Sequence, residues 1–178
     1  MAVHIRPAIS SDFPRLMGMD HSCLSDAVWQ LDLRREAGQV TATLRETRLP
    51  RPTRVEYPRN PFSLADEWQR KAALLVAAEG TDPFGYAVVS EQGAATVAWV
   101  TDIVVVPDQR RRGIGSALLL AAEEWARKRG SRMMIFEMQA KNQPSVRLAQ
   151  KLGFEFCGYN DHYYANQDVA LFFGRTLR

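Results

Sequence analysis

Cysteine is scarce in this chain of 178 residues: only Cys23 and Cys157, far apart and without the spacing of a metal site. A disulfide framework and a cysteine-held metal centre are therefore not what organises the molecule. Two buried free thiols in a reducing compartment are expected, with no metal. No apolar run is long enough to span a bilayer. The opening residues Met1 to Pro7 lack an apolar core of signal-peptide length. These absences point to a cytoplasmic protein without a membrane partner. A large excess of charge of one sign is also lacking. The net charge of +3 could help attract a polyanionic cofactor but is too small to argue for nucleic acid. No internal repeat or low-complexity tract is present. What remains, 46% hydrophobic and 24% charged, is ordinary for a globular chain. The length suits one domain over 1–178, large enough to bury its own core.

One stretch stands out. Val104-Val105-Val106 runs into Pro107, then Arg110, Arg111 and Arg112, then Gly113-Ile114-Gly115-Ser116 at the head of a helical pattern. The first turn of a helix carries N–H groups with no intrahelical partner, and its dipole places partial positive charge there. Glycines let a phosphate approach those groups. Two phosphate loops fail on residues. A Walker A loop needs a lysine after its glycines, and Gly115 is followed by Ser116-Ala117. A dinucleotide fingerprint needs a third small residue where Leu118 stands.

The surrounding pattern predicts a strand over 3–9 and a helix starting at Ser10-Ser11-Asp12 and fading near Ser25. Val40 to Leu44 reads as a strand. The following segment, with Pro50, Pro52, Pro58 and Pro61 among Arg45, Arg48, Arg51, Arg54 and Arg59, reads as extended surface, since such prolines exclude a helix or a central strand. A short helix is expected over 63–70, then a hairpin of 72–79 with 85–90, a turn at Gln92-Gly93 and a strand over 96–106. The helix over 113–129 ends at Gly130, and a strand follows over 133–138. This strand–helix–strand unit implies a parallel pair. A helix over 142–152 and strands over 154–159 and 169–177 complete an α/β (α+β) domain with a mixed sheet.

Arg110-x-x-Gly113-x-Gly115 after a strand and proline, then Glu137-Met138-Gln139, Asn142 and Leu152-Gly153-Phe154, resembles the GNAT superfamily of acetyl-CoA-dependent N-acetyltransferases. The resemblance implies the GNAT fold: a mostly antiparallel sheet, a splayed parallel strand pair and flanking helices. It also implies that the amides from Arg111 to Ser116 hold the pyrophosphate of acetyl-CoA, with arginine side chains including Arg110 nearby. Ile103, Val104 and Val105 would grip the pantetheine arm, and Asn142 and Ser145 would lie near its reactive end. Thr43-Leu44-Arg45-Glu46, Pro50, Pro52, Tyr57-Pro58, Asp102-Ile103, Asn142-x-Pro144 and Cys157-Gly158 are similar to streptothricin acetyltransferases.

Acetyl transfer to an amine with a pKa near ~10.4 calls for a base. Glu137 and Asp102 are the candidates. Many family members carry a tyrosine four residues before the glycine of Gly-Phe as the acid for the leaving thiolate. Here that residue is Ala149, and Tyr163 and Tyr164 are possible stand-ins, with aromatic packing as their other reading. His162 reads as a surface hydrogen-bonder. The expected acceptor is a small-molecule amine, an aminoglycoside-like or streptothricin-like antibiotic among the options. A protein N-terminus or lysine, and a coenzyme A-binding domain without catalysis, are the alternatives. Either a monomer or a homodimer fits.

Overall fold

The computed structural model describes residues 3–91 and 96–177, and the turn expected at Gln92-Gly93 lies outside the described residues. Seven strands form the main sheet in the order β1-β4-β5-β6-β7-β9-β8. Their bounds are β1 His4–Pro7, β4 Ala73–Glu79, β5 Asp82–Glu91, β6 Val97–Val105, β7 Met133–Gln139, β8 Glu155–Asn160 and β9 Ala170–Thr176. Every pairing is antiparallel except β6 with β7. The mixed α/β architecture expected from the sequence is therefore present. Strands β4 and β5 are apolar on both faces and read as near-continuous buried runs.

Between β1 and β4 the chain departs from the expectation. The first helix is brief: a 3-10 turn Ser10–Asp12 leads into α1, Phe13–Met17, which ends at Gly18 rather than near Ser25. From Cys23 the chain is extended. Strands β2, Cys23–Glu36, and β3, Gln39–Val55, form a separate two-stranded ribbon. Leu31-Asp32-Leu33-Arg34 alternates as a strand should. Pro50 and Pro52 are tolerated because the ladder slips there. Ser25 pairs with Thr53 and Ala27 with Arg48, so residues 49–52 bulge opposite Asp26 and need no ladder donors. A short helix follows as expected, α2 Leu64–Glu67 between 3-10 turns.

Helix α3, Ile114–Lys128, buries Ile114, Leu118, Leu119, Ala122 and Ala126, one stripe at helical spacing. It packs against β4, β5 and β6. Helix α4, Gln143–Lys151, lies against β7 and β2. The base of the ribbon is fastened there. The Trp29 indole N–H donates to the Gln143 side chain at 2.9 Å, the Trp29 backbone N–H to the Ala140 carbonyl at 2.8 Å, and the Gln143 backbone N–H to Ser25 Oγ at 3.2 Å. Both cysteines are free. Cys23 is half-buried, and Cys157 is exposed rather than buried, because β8 is the edge of the sheet.

Strands β6 and β7 stay paired only from Val97/Met133 to Val100/Phe136. Immediately beyond, β6 bulges against β5: Val88 pairs with Asp102 and Val89 with Val100, which leaves Thr101 as the extra residue. A bulge bends and twists its strand. The C-terminal halves of β6 and β7 therefore diverge into a wedge-shaped gap. Gly85 of β5 keeps β6 in this path, since a Cβ there would lie 2.9 Å from the Val104 carbonyl oxygen. Gly85→Ala is expected to lower the unfolding free energy by about 1–3 kcal/mol, seen as a lower denaturant midpoint. An unchanged midpoint would contradict this packing.

Candidate active site

The gap is lined on the β6 side by alternating backbone. Val106 N–H donates to the Phe84 carbonyl at 2.9 Å, and the Val104 carbonyl lies beside Gly85, so the even residues turn toward β5. The odd residues turn the other way. The Thr101 carbonyl accepts from Arg59 at 3.3 Å and the Val105 carbonyl from Arg110 Nε at 2.7 Å. Ile103 lies between them with the same parity. Its N–H and C=O face the gap, beyond the last pairing with β7, as an open sheet edge to which an extended amide-bearing ligand could add.

The edge leads to the start of α3. Gly113 is the N-cap with φ 83°, and no side chain caps this end. The first bond onto the helix is from Ala117 N–H to the Gly113 carbonyl at 2.9 Å, so the N–H groups of Ile114, Gly115 and Ser116 precede it without intrahelical partners. Arg111 also has a left-handed φ of 64°. Left-handed residues of this kind turn neighbouring N–H groups toward a common concavity. The three arginines divide. Arg110 is turned inward, bracing the loop by bonds to the Val105 carbonyl and, at 3.1 Å, the Asp20 carbonyl. Arg111 and Arg112 remain exposed, Arg112 bonded to the Gln109 side chain. Across the gap, Asn142 Oδ1 accepts from Ser145 N–H at 3.1 Å and caps α4. Asn142, Ser145, Ile103 and Val104 share one cavity of about 40 Å³.

The two candidate carboxylates line that cavity. Asp102 and Glu137 are 8% and 2% exposed, and one guanidinium joins them. Arg59 Nη1 donates to Asp102 Oδ1 at 3.2 Å, and Arg59 Nη2 donates to Glu137 Oε1. The guanidinium also stacks on the Tyr164 ring, 5.1 Å from its centroid. Asp102 accepts further from the Tyr57 hydroxyl at 2.6 Å and Thr101 Oγ1 at 2.8 Å. Glu137 accepts from the hydroxyls of Tyr163 at 3.1 Å and Tyr164 at 3.2 Å. Burial pushes the Glu137 carboxyl above the usual range, against the opposing pull of Arg59. Burial also pushes the Tyr57 and Tyr164 phenols up, so both stay protonated. For Arg59, burial works against the charge but Asp102 and Glu137 outweigh it and raise its pKa.

The tyrosines arrive by a braced turn. Asp168 accepts from Gln139 Nε2 at 2.8 Å, Asn166 Nδ2 at 2.9 Å and Lys141, while its carbonyl receives the N–H groups of Tyr163 and Tyr164. On the outer side, His21 Nδ1 donates to the Met19 carbonyl at 2.7 Å, leaving Nε2 to accept from the Tyr86 hydroxyl at 3.0 Å. Burial lowers its pKa and keeps it neutral. Ala149 is fully buried in α4 and contributes only packing. His162 is exposed.

The structure thus brings Asp102, Glu137 and Tyr164 together. Sequence reasoning missed Arg59, Tyr57 and His21. Of the arginines between 45 and 59, only Arg59 lines the cavity; Arg54 borders an outer groove. Arg59 was expected on an extended surface, but its side chain is only 31% exposed because both carboxylates draw it inward.

Residues 41–154 match the acetyltransferase (GNAT) family, most of the chain. The chain belongs to that family. It is a GNAT acyltransferase, an N-acetyltransferase of the acetyl-CoA-dependent type. It is 28% identical over 165 residues to the streptothricin acetyltransferase of Streptomyces lavendulae, a match covering 89% of this chain and 85% of the relative. It is 36% identical over 98 residues to the type 1 aminoglycoside N(6′)-acetyltransferase of Klebsiella aerogenes, covering 51% of this chain and 64% of that one. Its fold is similar to a crystal structure of nourseothricin acetyltransferase, with a TM-score of 0.81, 26% identity and complete coverage of both chains. The fold of a streptothricin acetyltransferase-like protein from Bacillus anthracis, solved with acetyl coenzyme A, is also similar at a TM-score of 0.73 and 19% identity, covering 98% of this chain and 99% of that one. Among the described residues no helix is long and apolar enough to cross a membrane.

Proposed function

We propose that this GNAT enzyme moves the acetyl group of acetyl-CoA directly onto a primary amine of a small molecule, with a streptothricin-like or aminoglycoside-like antibiotic as the first acceptor class to test. The observation that carries the reading is the wedge between β6 and β7. There the unpaired Ile103 edge, continuous with the open N-terminus of α3, meets two buried carboxylates. The names of the relatives support the acceptor class. An outer groove of about 450 Å³, bordered by His21, Tyr57 and Arg59, is of a size that suits a small ligand.

The residues fit the donor. The amides of Ile114, Gly115 and Ser116 would receive its pyrophosphate, with those of Arg111 to Gly113 contributing from the loop. Arg110 holds that loop in place, while the exposed Arg111 and Arg112 would meet outer phosphates. Ile103 and Val105 would pair with the amide-bearing arm, Val104 supplying the apolar wall, and Asn142 and Ser145 would line its far side. The donor supplies the acetyl thioester. The chain supplies the rest. Glu137 accepts the proton of the arriving ammonium. The freed nitrogen bonds to the acetyl carbon, the carbon–sulfur bond breaks, and the nitrogen's second proton passes to the departing thiolate. The Ile103 N–H, turned toward the gap, would donate to the carbonyl oxygen as charge develops there. Asp102 shares the guanidinium with Glu137 and keeps the cavity anionic. Tyr163 and Tyr164 orient Glu137, and Tyr164 can relay a proton toward the departing thiolate. A thiol with a pKa near ~8.5 leaves readily, so the absence of a tyrosine at Ala149 is tolerable.

Purified protein with isotope-labelled acetyl-CoA should be offered streptothricin, a 6′-amino aminoglycoside, a peptide with N-terminal alanine and a lysine peptide. Label is expected on a small-molecule amine at least about 100-fold faster than on either peptide, a margin within reach of pocket discrimination. Preferential labelling of a peptide, or tight donor binding with no acceptor labelled, would overturn the reading.

A further inference from the structure

The place where an acceptor's charged nitrogen would sit is already filled by the protein. Around the Arg59 guanidinium stand Asp102, Glu137, the Thr101 carbonyl and the face of Tyr164. Two carboxylates, a carbonyl and an aromatic face form a complete recognition set for an organic cation. We propose that this is the acceptor's ammonium subsite, that Arg59 is its internal occupant, and that the acceptor binds by exchanging its own cationic nitrogen for the guanidinium. The inference rests on the acetyltransferase reading above and narrows it to amines that arrive protonated.

Charge decides which molecules can make the exchange. The box holds two carboxylates against one guanidinium. A neutral molecule entering in place of Arg59 would leave two buried carboxylates side by side without a counterion, which strongly disfavours their both being ionised. An alkylammonium restores the missing charge, so one cation replaces another at small net cost. A neutral alcohol of the same shape has no such route.

The guanidinium also has somewhere to go. Arg59 lies on the irregular segment between β3 and the turn at Pro61, outside any strand ladder. Its side chain borders both the inner cavity and the outer groove. That groove carries two further carboxylates, Asp20 and Glu56, which hold Arg54 at 3.2 Å and 2.9 Å. Rotation about the side-chain torsions takes the Arg59 tip from one acidic setting toward another without moving the backbone of β6 or β7.

The exchange has a chemical consequence. While Arg59 is in place, its charge restrains the basicity of Glu137. Once the acceptor has taken its place, the cation beside Glu137 is one that can hand over its proton, which the guanidinium cannot.

The test follows the Arg59 Nε–H resonance in 15N-labelled protein saturated with coenzyme A, with n-butylammonium chloride as probe and n-butanol as the neutral control. The probe is expected to shift the Arg59 signal saturably, and n-butanol at the same concentration to leave it in place. Arg59→Ala should bind n-butylammonium about tenfold more tightly than the wild type or better, the effect of removing an occupant that fills the site some nine-tenths of the time. Arg59→Lys, which keeps an internal cation, should stay near wild type. An Arg59 signal unmoved at saturating probe, equal or weaker binding by Arg59→Ala, or no binding by either protein would each overturn the exchange. The wild-type titration stands even if Arg59→Ala does not fold. Coenzyme A binding is measured in the same samples. Its absence would count against the acetyltransferase site, whereas its presence with an unmoved Arg59 would overturn the exchange alone.

Discussion

Glu137→Gln is expected to lower kcat by about 100- to 1,000-fold while leaving acetyl-CoA affinity unchanged, the usual scale for loss of a positioned general base. The amide is nearly isosteric and still meets Tyr163 and Tyr164, so the lost capacity is proton acceptance. The pH profile separates this from a packing defect. Glu137 must be ionised to act, and burial raises its pKa above the ordinary glutamate value near ~4.3. Wild-type kcat/KM should therefore rise with pH through that raised value and level off above it. The groups facing Glu137 are Arg59, Asp102, Tyr163 and Tyr164. Arg59 and the two phenols have pKa values raised above their ordinary range, so they do not generate this acidic limb. In Glu137→Gln the limb should vanish. A variant with the wild-type rate and profile would remove Glu137 as the base and leave Asp102, already saturated by Tyr57, Thr101 and Arg59, as the other carboxylate to examine.

Gly113→Val is expected to weaken acetyl-CoA binding by about 100-fold. The N-cap holds φ at 83°, where a β-branched residue is strained, by roughly 1–2 kcal/mol or more. The space around Gly113 is open, so the effect comes from backbone conformation and not from a clash. Relieving the strain turns the peptide units on either side, and with them the N–H groups proposed to receive the pyrophosphate. A hydrogen bond to a charged group contributes about 1.5–3 kcal/mol, so losing two at the low end gives the stated factor. Calorimetric titration gives the affinity and a thermal melt gives the stability cost. A lowered melting temperature with unchanged acetyl-CoA affinity would show that these amides do not hold the donor. Gly115→Ala should be milder, because its Cβ would press only on the Leu148 methyl at 3.3 Å.

The loop, α3 and the parallel pair were legible because their signals are local, whereas Asp102 and Glu137 were singled out through the family resemblance. Apolar period, a glycine cap and a proline mark each boundary within a few residues. The ribbon was harder. The alternation at Leu31 to Arg34 is a strand signal, but it spans only four residues, and its partner strand is interrupted by prolines. The prolines of β3 argued against a ladder that in fact slips past them through a four-residue bulge. Arg59 was not legible at all. Five arginines stand between 45 and 59, and nothing local distinguishes the one that meets carboxylates 43 and 78 residues away. Tyr57 and His21 were missed for the same reason: their partners are brought to them only by the sheet. Ala149 was flagged as a departure, and its complete burial in α4 agrees with a site whose polar groups come instead from β6, β7 and the turn carrying Tyr164.

The measurement that bears most directly on the account is a crystal structure with acetyl-CoA bound. The account predicts the pyrophosphate at the N–H groups of Ile114 to Ser116, the arm paired along Ile103 and Val105, and the acetyl group in the wedge with its carbonyl oxygen toward the Ile103 N–H and Glu137 within reach of its acceptor side. Density placing the acetyl group outside the β6–β7 wedge, or the phosphates away from the start of α3, would contradict it.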